Sequence, residues 1–115
     1  MTLDPEAMAR LLEITGDDAA FVDELIDTFI DDAAAQIAAL RVAATAGDVA
    51  GVVRPAHSLK SNSQNVGATL LADLCQTLEA DSRAGDVPEL LPWIDAVERE
   101  FGAVRARLLA YRAAR

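Results

Sequence analysis

The stretch LLPWIDAVEREFGAVRARLLAY, residues 90–111, decides the fold. Leu90, Ile94, Val97, Phe101, Val104, Leu108 and Tyr111 recur at alternating spacings of four and three, which lines all of them along one face of an α-helix. Pro92 falls in the first turn of such a helix, where its missing N–H is harmless. With Asp86 and Pro88 just ahead, the helix is expected to open there.

Upstream of this helix the same period recurs in shorter pieces. From Ala68 to about Ala84, Leu71, Leu74 and Leu78 with their neighbours Leu70 and Cys75 make a stripe that Gly85 closes. Before that, Val49, Val52, Ala56, Leu59, Ser63 and Val66 would face inward on a helix capped by Asp48 and stopped by Gly67. Val22, Ile26, Phe29, Ala33, Ile37, Leu40 and Ala44 define a long helix, with Asp17 and Asp18 available as N-caps and Gly47 at its end. Leu3 to Ile14 reads as a short opening helix, capped by Asp4, with Pro5 at its first position and Gly16 beyond its end.

These segments predict an all-α fold, an antiparallel up-down-up-down four-helix bundle with a short N-terminal cap helix. The two outer helices, at roughly 25 residues each, would run about 40 Å. A chain of 115 residues suits a single domain over 1–115, and 52% hydrophobic with only 4% aromatic residues means a core of Ala, Leu, Val and Ile. Pro55 is awkward inside a helix. It lies four residues after Gly51, the residue freest to yield, and it implies either a kink or a late helix start just before His57.

Several classes of function are excluded early. No apolar run nears the roughly 20 residues that span a bilayer, and Asp4 and Glu6 follow Met1 where a signal peptide would be basic, so a soluble, cytoplasmic protein with no membrane role is expected. One cysteine, Cys75, and one histidine permit neither an internal disulfide nor a dedicated zinc site; no metal is expected in the chain. A net charge of −9 opposes nucleic-acid binding. The glycines form no phosphate-binding loop and no nucleophile elbow, so no nucleotide or other cofactor is implied.

What remains is one polar group on the second bundle helix: Arg54, His57, Lys60, Ser61 and Gln64, along one side. At 100° per residue His57 lies well over 100° from the apolar stripe, so its ring should be accessible. Lys60 is the sole lysine of the chain and sits one turn away, placed to neutralise a phosphoryl group on the ring. Free imidazole titrates near 6.5, which makes an exposed histidine a largely unprotonated nucleophile at neutral pH. Glu79, about 80° off the centre of its helix stripe, can aim a carboxylate at the His57 helix and hold one ring N–H. Against this stands the ordinary reading: a solvated histidine, surface charges in weak pairs and Cys75 as a small core residue.

The run Ala56-His57-Ser58-Leu59-Lys60-Ser61-Asn62-Ser63-Gln64-Asn65-Val66-Gly67-Ala68, followed by Leu71, Leu74-Cys75 and Leu78-Glu79, resembles the signature of histidine-phosphotransfer domains of two-component phosphorelays. Gly16-Asp17, Phe21, Glu24-Leu25, Phe29 and Asp31-Asp32 look like that family's N-terminal stretch. The resemblance implies that His57 is the phosphoacceptor, that Lys60 contacts the phosphoryl oxygens and that Glu79 orients the imidazole. Ser61 stands where many members carry glycine, and is a further candidate phosphoryl contact; Arg54 and Gln64 are candidates for partner binding. The implied partners are response-regulator receiver domains and a hybrid histidine kinase, with Mg²⁺ held by the receiver; the compact pattern of the chain favours a monomer. The rival reading is a non-catalytic helical adaptor that binds or blocks a receiver without being phosphorylated.

Overall fold

The structure, a computed structural model, describes residues 3–14, 16, 18–87 and 89–114. Among the described residues five helices follow one another: α1 Pro5–Ile14, α2 Ala19–Thr45, α3 Val49–Asn65, α4 Thr69–Arg83 and α5 Leu91–Ala113. No strand occurs among the described residues. The four long helices close a ring in which α2 touches α3 and α5, and α4 touches the same two. Arg41 pairs with Asp95 and Glu98 while Arg112 pairs with Asp27, so α2 and α5 run in opposite directions. The molecule measures 43 Å along its longest axis.

The helix ends follow the polar residues expected of them. Oδ1 of Asp18 accepts from the N–H groups of Ala20 and Phe21, and Oδ1 of Asp48 accepts from that of Gly51. Asp4 caps α1 by accepting from the N–H of Glu6 at 3.0 Å, so α1 starts at Pro5 rather than Leu3. The alternative cap, Asp17, lies outside the described residues, as does Pro88.

The last helix starts later than its sequence suggested. It begins at Leu91 with Pro92 in its first turn. Asp86 instead completes the stop of α4: Gly85 takes φ +71° and the N–H of Asp86 bonds the carbonyl of Asp81 at 2.9 Å. The N-cap of α5 is Leu90, four residues beyond Asp86, and it makes no side-chain cap bond. Likewise α3 runs through Pro55 instead of starting after it, because Asp48 already caps the helix two turns upstream.

Every member of the α2 stripe is buried, as are Val52, Ala56, Leu59, Ser63 and Val66 of the α3 region. Val49, Leu74, Phe101 and Tyr111 are only partly covered, and Leu70 is exposed. The inward side of α4 is instead Leu71, Ala72, Cys75, Leu78, Glu79 and Ser82. That side centres near Cys75, and Leu70, five residues back, lies about 140° of helix away from it. Cys75 is fully buried; its thiol is pushed up to about 12 by burial and by the Glu79 charge, with Lys60 opposing. It is core and chemically quiet.

Gly67 ties the cap helix to the bundle. It adopts φ +74°, its carbonyl accepts from the N–H of Asp4 at 2.6 Å, and a Cβ there would meet the Ala7 Cβ at 2.7 Å and the Asp4 carbonyl oxygen at 3.0 Å. Gly67→Ala therefore combines left-handed backbone strain with a clash against α1. We expect a loss of about 2–3 kcal/mol in urea unfolding, and an unchanged midpoint would show that α1 is not held this way.

Candidate functional site

The site forms where α3 and α4 pack side by side. His57 and Lys60 lie one turn apart on α3, and Glu79 and Arg83 one turn apart on α4. Because both pairs sit at the edges of their inward faces, the four side chains meet at the seam.

Glu79 is the centre of the group. Its side chain is only 9% exposed, and it accepts from Nδ1 of His57 at 3.0 Å (Oε2) and 3.2 Å (Oε1). Nζ of Lys60 donates to Oε1 at 3.0 Å, while Nη2 and Nε of Arg83 donate to Oε2 at 2.9 and 3.1 Å. Burial by itself would raise this carboxyl. The bonds from Lys60, Arg83 and His57 outweigh that, bringing it from 4.5 down to about 2.

A tautomer follows from that charge. An ionised carboxylate can only accept, so the ring nitrogen facing it must carry hydrogen. In the neutral ring, Nδ1 then holds the proton and Nε2 keeps its lone pair. His57 is 54% exposed, so the outward orientation expected from its helix angle is what the structure has. Lys60 is half-buried at 21% exposure, because its ammonium reaches inward to Glu79 rather than out to water.

Ser61 is half-buried on the next turn, and Arg54 and Gln64 are exposed on the same helix; none of these three joins the hydrogen bonds around Glu79. Arg83 was missed in the sequence. Its signal was available, since it stands four residues after Glu79 and is the one basic residue of α4. A second overlooked signal is electrostatic: no acidic residue occurs between Asp48 and Asp73 in a chain with 19 of them, so α3 is an acid-free strip on an acidic protein.

His57 stands at the outward edge of the α3–α4 seam. Hollows of about 420 Å³ beside Ala44, Val87 and Leu90, and about 350 Å³ beside Leu25, Phe29 and Asn62, do not include it. Among the described residues no group of three or more histidine, cysteine or acidic side chains is placed to hold a metal ion.

The family model described as Hpt domain matches residues 24–107. The chain belongs to the Hpt domain family. The crystal structure of histidine-containing phosphotransfer protein B (HptB) from Pseudomonas aeruginosa PAO1 is similar to this Hpt domain with a TM-score of 0.90 and 35% sequence identity, covering 99% of this chain and 96% of that one. No curated protein matches the chain. As an Hpt domain the chain has a phosphotransfer role in phosphorelays, where such domains partner with receiver domains and kinases of two-component systems. No helix among the described residues is long and apolar enough to cross a membrane.

Proposed function

We propose that His57 accepts a phosphoryl group from the phosphoaspartate of a receiver domain and passes it to the aspartate of another. The observation that carries this is the Glu79 carboxylate on Nδ1 of a half-exposed His57, which leaves the Nε2 lone pair toward solvent. Attack by Nε2 on phosphorus forms the N–P bond as the P–O bond of the acyl phosphate breaks, and the receiver's carboxylate leaves. The ring retains its Nδ1 proton, so the phosphorylated imidazole carries positive charge beside Glu79. Reversal toward a second aspartate uses the same atoms, with the neutral ring as leaving group.

Lys60 is assigned to the phosphoryl oxygens, and Ser61 to a further contact from the adjacent turn. Arg54 and Gln64, exposed on the acid-free α3, are assigned to docking, where they meet the acidic surroundings of a receiver's aspartate. Mg²⁺ belongs to the receiver's half of the site, and the chain supplies no cofactor of its own.

Incubation with a receiver charged by acetyl phosphate tests the reading. The chain should acquire label that is labile in acid and stable in alkali, as a phosphoramidate is. Stable association without any label would favour the adaptor instead. Lys60→Ala should slow transfer about tenfold. It should also cost about 1 kcal/mol of stability, since Lys60 is tied to Glu79; stopped-flow transfer at the wild-type rate would remove Lys60 from the chemistry.

A further inference from the structure

Glu79 is held by more positive charge than one carboxylate requires. Lys60 and Arg83 approach different oxygens, Lys60 at Oε1 and Arg83 at Oε2, so either can leave without disturbing the other. Arg83 grips with two donors from its own helix and is 61% exposed, so its hold does not depend on what α3 does. Lys60, by contrast, crosses from α3 on a flexible stem, and its hold on Oε1 weakens as its ammonium turns toward a phosphoryl group on the outward face of the His57 ring.

We propose that Arg83 is a positioning residue that releases Lys60 for the phosphoryl group by taking over the charge of Glu79. The inference rests on the reading of His57 as phosphoacceptor. When the phosphoryl group arrives on Nε2, bringing up to two negative charges, Lys60 exchanges Oε1 for a phosphoryl oxygen. Glu79 keeps Arg83 and the ring N–H, and no buried carboxylate is stranded without a cation. Without Arg83, the departure of Lys60 would leave the ring as the only balancing group, and the ammonium would stay on Glu79. The exchange is purely electrostatic; the only bonds made and broken are those of the phosphoryl transfer itself.

The measurement is single-turnover transfer from an acetyl-phosphate-charged receiver to wild type, Arg83→Gln and Arg83→Lys, each also in a Lys60→Ala background. Arg83→Gln should slow transfer about two- to fivefold, Arg83→Lys should recover part of that, and the Lys60→Ala background should abolish the effect, because Arg83 works through Lys60. A merely structural contribution would slow both backgrounds alike. Equal slowing in the two backgrounds, or a wild-type rate in Arg83→Gln, overturns the proposal while leaving His57 as phosphoacceptor. Absence of label on the wild-type chain overturns both.

Discussion

Replacing His57 by glutamine should abolish phosphorylation of the chain while leaving its fold intact. The effect is total because the sequence contains a single histidine, and no other side chain at the seam offers a neutral nitrogen lone pair to solvent. Lys60 and Arg83 are engaged as cations on Glu79, and Cys75 is buried with its thiol pushed up to about 12. Glutamine keeps a polar group of similar reach whose amide can still donate to Glu79, so stability should change by less than about 1 kcal/mol. The check is acid-labile label after incubation with a charged receiver, read beside circular dichroism. Label persisting on the His57→Gln chain would move the acceptor elsewhere.

The fold and the site were not equally legible in the sequence. Helix identity was legible because apolar side chains repeat with the helix period, as Ile94, Val97, Val104 and Leu108 do, and all four are buried. The outward direction of His57 was legible for the same reason, since angle around a helix is fixed by residue number. Boundaries were less so: Asp86 is a plausible cap by composition, yet the backbone N–H of Asp86 goes to α4. The inward turn of Lys60 was not legible, because its neighbours on its own helix say nothing about Glu79, 19 positions on, which the α3–α4 packing brings within 3.0 Å. Glu79 was legible from its helix angle as well as from the family resemblance, whereas Arg83, four residues on, was overlooked although it supplies two of the carboxylate's hydrogen bonds.

That set of donors makes Glu79→Ala the second large effect. The substitution removes the acceptor that keeps hydrogen on Nδ1, so the ring can populate the other tautomer, with Nε2 protonated and unable to attack. It also removes the charge that offsets the phosphorylated ring, and leaves Lys60, at 21% exposure, without its counter-ion. Transfer should slow by about ten- to a hundredfold. Glu79→Gln should fall between, because an amide oxygen still accepts from Nδ1 but carries no charge. Ring ¹⁵N shifts of His57 provide the independent check; an unchanged tautomer in Glu79→Ala would separate Glu79 from the orientation of the ring. The acid limb gives a further signature. A carboxyl at about 2 when folded and about 4.5 when unfolded stabilises the fold above 4.5, and that contribution is lost as pH falls toward 2. The wild type should therefore lose on the order of 1–3 kcal/mol across that span through this group alone. Glu79→Ala should start lower at neutral pH and decline less steeply, because it has no such proton to take up.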